Sequence, residues 1–184
     1  MSRAAVPEVP EVAGGVAGRA AGRLARVVLE GEALTRLDPW QEADRAQAVA
    51  DLAAENRFRL TGGPRAGGGH GGAAAGPYVL HLAIHDGRLV FDVRDAADAQ
   101  LTALVLALGP FRRLVKDYQM LVESHVKAVE EGREERIQAI DMGRRGLHDE
   151  GAALMRERLH GKAEIDFETA RRLFTLVCVL HQRG

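Results

Sequence analysis

The chain has 184 residues, of which 46% are hydrophobic, 28% are charged and only 4% are aromatic. This length and composition allow one good hydrophobic core and exclude a chain that is disordered throughout. The formal net charge of −1 gives no overall basic excess, which argues against nucleic acid or an anionic membrane surface as the partner.

The N-terminal part predicts a tail, a strand and a capped helix, in that order. Residues 1–22 are rich in Ala, Gly, Pro and Val without periodicity, which predicts a flexible tail before a single domain over residues 23–184. The apolar run at residues 24–29 fits a first strand. Asp38 followed by Pro39 is typical of a helix cap and of the first helical position.

Residues 61–76 are dense in glycine and predict a mobile loop within the domain. The segment resembles a phosphate-binding loop in composition only. The lysine-serine/threonine ending of a P-loop is absent, and so is the strand-to-helix setting in which that loop occurs. A flexible insertion is therefore the favoured interpretation.

The clearest pattern is a β-hairpin. Apolar residues alternate from Tyr78 to Ile84, and Asp86-Gly87 then supplies the pair favoured in a two-residue turn. Such a turn fixes the register. Three apolar pairs should therefore face one another, namely Ile84 with Leu89, Leu82 with Phe91, and Leu80 with Val93. On the other face His81 lies opposite Asp92, which predicts an exposed ion pair, with a general-base arrangement as the alternative.

The remainder predicts one more strand and three helices. Residues 100–108 are apolar on both faces, which suits a buried strand, although a helix is possible. Gly109-Pro110 opens a helix with a regular apolar stripe, another helix begins near Glu134, and Asp166 caps the last one. The fold class is therefore α+β, a small antiparallel sheet with a β-hairpin packed against about three C-terminal helices.

Ionisable residues lie on or beside the apolar stripe of the helix that begins near Glu134. Arg144 falls on the stripe, and Asp141 and His148 flank it. One interpretation is a buried ion-pair network that locks this helix against the preceding one. The other is a site for an anion or a reacting group, where His148, Asp141 and Glu150 are candidate acids or bases. No nucleophile or metal-binding set supports a named reaction.

Three glycines interrupt the same helix, at Gly143, Gly146 and Gly151. A glycine inside a helix costs about 1 kcal/mol relative to alanine. Because glycine has no side chain, these positions predict a close approach by another backbone or by a ligand.

Adjacent arginines recur at Arg112-Arg113, Arg144-Arg145 and Arg171-Arg172. The planar guanidinium group suits phosphate or carboxylate oxygens. The first and third pairs fall near predicted helix starts, where a cation is unfavourable unless an anion is also present. We expect Arg144 or Arg145 to meet Arg112-Arg113 in an anion site with His148 at its edge. Solvated pairs without a shared role are the alternative, and convergence of two pairs distinguishes the two.

The histidines do not form a metal signature. His148 is followed by Asp149-Glu150 and lacks the His-Glu-x-x-His spacing. His81 and His85 share a strand face but lie roughly 13 Å apart at about 3.3 Å per residue, too far to bind one ion. No metal is therefore expected, and the sequence leaves any cofactor open.

Three runs of the chain resemble uncharacterised protein family 0262 of alphaproteobacteria. They are GPFRRLVKDY at residues 109–118, AIDMGRRGLH at 139–148 and IDFETARRLF at 165–174. The resemblance covers about residues 77–184, whereas the first twenty residues and the glycine-rich loop look peculiar to this chain. It implies a soluble bacterial protein and brings no activity with it.

The lone Cys178 lies in an apolar run, which predicts a buried thiol and a reducing compartment. No stretch approaches the roughly 18 uncharged residues that span a membrane, and the N-terminus lacks a continuous apolar leader. A cytoplasmic protein is therefore expected.

Three functions remain open. The first is binding of a small anionic ligand, phosphorylated or carboxylated, at the paired arginines. The second is docking of a protein partner or of a second copy of the chain, with the arginines in interface ion pairs. The third is an enzyme that uses His148 as acid or base.

Overall fold

The computed structural model describes residues 21–31, 37–61 and 76–181, which form two small sheets and four helices. The strands are β1 (Leu24–Glu30), β2 (Phe58–Leu60), β3 (Tyr78–His85), β4 (Arg88–Arg94), β5 (Gln100–Ala107) and β6 (Ala163–Ile165). The helices are α1 (Pro39–Ala54), α2 (Arg112–Glu130), α3 (Glu134–Leu159) and α4 (Phe167–Leu180). The predicted α+β class is confirmed, with the C-terminal helices and the larger sheet sharing one core.

The predicted hairpin is confirmed with its register. β3 pairs with β4 so that Leu82 lies opposite Phe91, and both side chains are fully buried. Asp86 and Gly87 have φ values of 48° and 69°, the positive values that both central residues of a type I′ turn require. The turn and the apolar alternation therefore specify the same pairing.

The larger sheet is mixed, with strand order β1-β3-β4-β5. β1 occupies one edge and runs parallel to β3, whereas the other neighbours are antiparallel. The chain reaches β3 from β1 through α1, which packs against β1 and α4. A second sheet, which the sequence analysis did not predict, pairs β2 with β6 in antiparallel fashion.

β5 is a strand, as predicted, but it is buried on one face only. Leu104 and Leu106 are buried in the core, whereas Ala103 is exposed and Val105 is 45% exposed. The expectation of burial on both faces is therefore wrong. Within the described residues β5 pairs only with β4, so it is an edge strand. Its exposed outward side chains, Ala103 and Val105, are not covered by helices.

The predicted helix caps place α1 and α4. Asp38 accepts hydrogen bonds from the backbone N–H groups of Trp40 and Gln41 at 2.8 and 3.0 Å. The Gln41 side chain accepts in return from the Asp38 N–H, which completes a capping box. Asp166 caps α4 by accepting from the Thr169 N–H at 2.8 Å. These caps fix where the two helices begin and therefore which of their side chains face α3.

The predicted tail and glycine-rich loop, residues 1–22 and 61–76, lie almost entirely outside the described residues. Their flexibility, and the single-domain boundary at residue 23, therefore stay predictions.

The predicted ion pair between His81 and Asp92 does not form, although the two residues lie opposite each other in the sheet. His81 instead contacts Glu30 Oε1 through Nδ1 at 2.7 Å and Asp98 Oδ1 through Nε2 at 3.0 Å. Asp92 accepts hydrogen bonds from Arg94 at 2.8 and 2.9 Å. The parallel β1 strand brings Glu30 to His81, which the hairpin pattern alone does not reveal.

Glu30 and Asp98 together raise the pKa of His81 above its ordinary value, with the hydrogen bond to Glu30 as the larger cause. Because the folded state holds the protonated ring, this contact stabilises the fold below the ordinary histidine pKa of about 6.5 and loses that effect as pH rises through the raised pKa. We expect the stability advantage of the wild type over His81→Gln to shrink with rising pH, over a range that begins near the ordinary histidine pKa of about 6.5. Urea unfolding of both proteins across this range tests the expectation. A constant difference would show that His81 does not titrate in this range.

Candidate functional site

A pocket of about 240 Å³ lies between α1, α3 and α4. Two of the three arginine pairs line it, Arg144-Arg145 from α3 and Arg171-Arg172 from α4. This convergence of two arginine pairs is the feature that distinguishes a shared anion site from solvated arginines without a shared role.

Gly151 is the reason that α4 comes so close to α3 beside this pocket. A Cβ atom at position 151 would lie 2.3 Å from Cδ1 of Phe174, far inside van der Waals contact. The other two glycines have no such role, since a Cβ at Gly143 would meet Leu121 at 3.7 Å and one at Gly146 would meet nothing within 4 Å. The close approach predicted for the glycines is therefore made once, at Gly151, by an aromatic side chain rather than by a backbone.

Arg144 is held between charged and aromatic partners. Its Nη1 donates to Asp44 Oδ1 at 2.7 Å, and its guanidinium carbon lies 5.5 Å from the centre of the Trp40 ring. The other oxygen of Asp44 accepts a hydrogen bond from the Tyr118 hydroxyl at 3.1 Å. An ion-pair network on α3 is thus present, but it joins α3 chiefly to α1 rather than to α2 as predicted. It fixes Arg144 at the wall of the pocket.

The other lining arginines differ in how they are neutralised. Arg171 Nε lies 3.0 Å from Asp149 Oδ1, and Arg172 Nε lies 3.4 Å from Asp51 Oδ2. Arg145 is exposed and forms no ion pair or hydrogen bond with the described part of the chain. The carboxylates that line the pocket are Asp44, Asp51 and Glu168. Together with Asp149, four carboxylates therefore accompany the four arginines, and Arg145 is the lining arginine that forms no ion pair with the described part of the chain.

His148 also lines the pocket and is only 5% exposed. Its Nδ1 lies 2.8 Å from the backbone oxygen of Arg144. Since a carbonyl only accepts, Nδ1 carries the proton and Nε2 is left as an acceptor. Nε2 is buried and has no hydrogen-bond partner among the described residues. The rings of Tyr118 and Phe174 pack edge-on at 5.8 and 5.7 Å.

Burial lowers the pKa of His148, and the nearby guanidinium groups of Arg144 and Arg171 lower it further, while the Nδ1 hydrogen bond and Asp44 oppose the shift. The ring is therefore neutral near pH 7. A neutral imidazole with a free Nε2 lone pair can accept a hydrogen bond or a proton.

The other predicted site residues lie outside this pocket. Arg113 forms ion pairs with Asp117 at 3.3 Å and with Glu150. Arg112 is exposed near the hairpin turn, and Asp141 contacts Arg144 at 3.8 Å. Glu150 follows His148 by two residues, which turns it about 200° around the helix axis and directs it towards α2. The pair that meets Arg144-Arg145 is therefore Arg171-Arg172 and not Arg112-Arg113.

The acidic face of α1 is the part of the site that the sequence analysis missed. Asp44, Gln47, Ala48 and Asp51 all line the pocket. Their spacing of three, four and seven residues is that of one helix face. Asp44 and Asp51 lie on one face of α1, near Trp40, and this pattern in the sequence could have indicated a polar contact with a basic helix.

No group of three or more His, Cys, Asp or Glu side chains that could hold a metal ion occurs in the three described ranges. No helix within them is both long enough and apolar enough to cross a membrane. A larger groove of about 1460 Å³ beside β2 and β6 contains none of the predicted site residues. Cys178 is fully buried, and burial raises its pKa, so it is an unreactive thiol of the core.

Comparison with known proteins gives close relatives. The family described as "Uncharacterised protein family (UPF0262)" matches residues 21–183. A UPF0262 protein of Granulibacter bethesdensis is 69% identical over 164 residues, which cover 89% of this chain and 92% of the relative. UPF0262 proteins of Acidiphilium cryptum and Maricaulis maris are 61% and 48% identical, and the alignments cover 94% and 95% of them and 89% and 88% of this chain. No solved structure is significantly similar.

Proposed function

This chain belongs to the uncharacterised protein family UPF0262, and we propose that it binds a small anionic ligand, bearing a phosphate or carboxylate group, in the pocket between α1, α3 and α4. The match to the family model and the close relatives confirm the resemblance found in the sequence. The description of the family names no activity. We place the binding in the cytoplasm, the compartment that the lone thiol favours.

The observation that carries the proposal is Arg145, which has no ion-pair partner in the described ranges, beside three arginines that are already oriented. Arg144, Arg171 and Arg172 are each held by a carboxylate. The guanidinium group of Arg145 is therefore the one left to engage a ligand. Because arginine forms paired hydrogen bonds with planar or tetrahedral oxyanions, an anion is the complementary ligand.

The size of the pocket limits the ligand. Its volume of about 240 Å³ is below the range of about 300–1,000 Å³ typical of drug-sized ligands, which favours a small metabolite.

A second candidate is an interaction module, supported by exposed apolar side chains on α2 and α3. Met120 and Val129 are each 54% exposed, and Met142 is 73% exposed. Single exposed apolar side chains are ordinary, but a contiguous patch of them is typical of protein interfaces. Light scattering of the wild type and of Met142→Lys separates the two candidates. If the protein self-associates through this surface, the variant should have a lower molar mass in solution than the wild type, and its affinity for anions should be unchanged.

An enzyme is the third candidate, and His148 is its only predicted acid or base in the pocket. Asp141 and Glu150, the other candidates, are engaged with Arg144 and Arg113 outside it. The neutral, unpartnered Nε2 of His148 supports a general base. A binding site is the more economical proposal, because the lining carboxylates Asp44 and Asp51 are engaged with arginines and Glu168 is exposed to solvent.

The decisive variant is Arg145→Gln. We expect inorganic phosphate, small phosphate esters or small carboxylates to raise the melting temperature of the wild type at constant ionic strength. Loss of one charge-assisted hydrogen bond should weaken the affinity measured by calorimetry by about tenfold or more. The ligand-free variant should be as stable as the wild type, because Arg145 has no hydrogen-bond or ion-pair partner in residues 21–31, 37–61 and 76–181.

Arg158→Gln is the matched control, since Arg158 is exposed on the same helix and does not line the pocket. It should keep the wild-type affinity. Failure of every anion to shift the wild-type melting temperature, or equal losses in the two variants, would contradict the proposal.

A further inference from the structure

We infer that the ligand of the pocket between α1, α3 and α4 carries a hydroxyl group beside its anionic group, and that this hydroxyl donates a hydrogen bond to Nε2 of His148. The inference rests on the proposed anion binding and specifies its ligand class. A small hydroxycarboxylate, or a phosphate ester with a neighbouring hydroxyl, has this chemistry.

The first step is the fixed tautomer of His148. The Nδ1–H donates to the backbone oxygen of Arg144, one turn earlier in the same helix. This contact directs Nδ1 back towards α3 and turns the Nε2 side of the ring away from the helix backbone. Edge-on packing against Tyr118 and Phe174 holds the ring in that position. Nε2 is therefore a fixed acceptor, and only a hydrogen-bond donor can satisfy it.

The second step is that an unsatisfied donor lies one turn away from this unsatisfied acceptor. Nε of Arg144 is also buried without a hydrogen-bond partner within the described chain. Its ion-pair contact with Asp141, at 3.8 Å, is beyond hydrogen-bond distance. Nε of Arg171, which also lines the pocket, is likewise buried without a hydrogen-bond partner among the described residues. Buried polar groups are usually paired, because an unpaired one destabilises the fold. The lining residues thus have two unpaired donors and one unpaired acceptor.

The third step is the ligand chemistry that satisfies both the arginine donors and the acceptor Nε2 of His148. A bare carboxylate or a fully ionised phosphate only accepts hydrogen bonds, so it can pair with the arginines but not with Nε2. A neutral alcohol can donate to Nε2 but gives nothing to the unpaired guanidinium group of Arg145. A molecule that carries both groups on neighbouring carbons meets the two requirements at once. Since Nε2 is closed to solvent, the hydroxyl reaches it when side chains of the pocket wall shift to admit the ligand.

The test compares matched probe pairs that differ only in one hydroxyl group, namely lactate with propionate and 2-hydroxypropyl phosphate with propyl phosphate. Affinities are measured by NMR titration of the full-length protein. We expect the hydroxyl-bearing member to bind about tenfold more tightly, the effect of satisfying one buried acceptor. In His148→Phe, which keeps an aromatic ring against Tyr118 and Phe174, the members of each pair should bind equally.

The outcomes separate the two proposals. Equal wild-type affinities within each pair, with binding still weakened by Arg145→Gln, would overturn this inference and leave the proposed function intact. No binding of any probe would overturn both. If His148→Phe does not fold, the nitrogen-15 resonance of Nε2 in the wild type decides the question. It should move on addition of the hydroxyl member only, and equal shifts with both members would contradict the inference.

Discussion

Replacing Phe91 with alanine is expected to lower the free energy of unfolding by about 3–5 kcal/mol, as for other large aromatic residues in a packed core. The Phe91 ring is fully buried, and its residue pairs with Leu82 on β3 and Leu104 on β5. Truncation would leave a cavity at the centre of the four-stranded sheet, where three strands and the helices meet. Urea unfolding monitored by circular dichroism measures the loss.

The neighbouring residue provides the control. Asp92 faces the other side of the sheet, where its side chain is 18% exposed and pairs with Arg94. Asp92→Ala should cost about 1 kcal/mol, because a partly exposed ion pair contributes little. Near-equal costs for the two substitutions would mean that the faces of β4 are assigned wrongly.

Gly151→Ala is expected to destabilise the protein by about 3 kcal/mol, the upper part of the range for overpacking a core. The new methyl group would lie within 2.4 Å of three ring atoms of Phe174, which is itself fully buried. Neither α3 nor α4 can yield without disturbing the pocket between them, since Arg171 precedes Phe174 by one turn. We therefore expect anion affinity to fall together with stability.

Gly146→Ala should have the opposite effect and stabilise the protein. A Cβ at this exposed position meets nothing within 4 Å, so alanine should gain up to about 1 kcal/mol from its higher helix propensity. Thermal unfolding of the two variants tests both signs at once. A stabilised Gly151→Ala would show that Phe174 can move aside and that Gly151 does not set the spacing of α3 and α4.

Features encoded over short distances could be predicted from the sequence. The register of β3 and β4 follows from Asp86-Gly87 and the alternation on either side of it, and both lie within one short segment. The cap residues Asp38 and Asp166 act on backbone N–H groups within three residues of themselves. In such cases the interacting groups are neighbours in the chain, so a pattern within one short segment is enough to predict the structure.

Features that depend on distant partners were missed. Nothing in the apolar run of β1 states that it lies parallel to β3, and so the capture of His81 by Glu30 could not be anticipated. β2 and β6 have three residues each, too few to show a strand period.

The candidate site divides along the same line. Arg145 and Arg144 precede His148 on one helix by three and four residues, so each is a helical neighbour of His148. Which other arginine pair they meet depends on how α4 crosses α3, and that crossing is set by the contact of Gly151 with Phe174. A glycine inside a helix indicates that something comes close, but it does not identify the partner.

The parallel placement of β1 also determines the order in which the sheet can assemble. The β3–β4 hairpin closes across a two-residue turn, whereas β1 reaches β3 only after a connection that includes α1, β2 and the glycine-rich segment. Loop-closure entropy grows only logarithmically with length, by about 0.6 kcal/mol for each doubling. Insertions or deletions within the glycine-rich segment therefore carry little loop-closure penalty, and evolution can change its length while the order of the strands is kept.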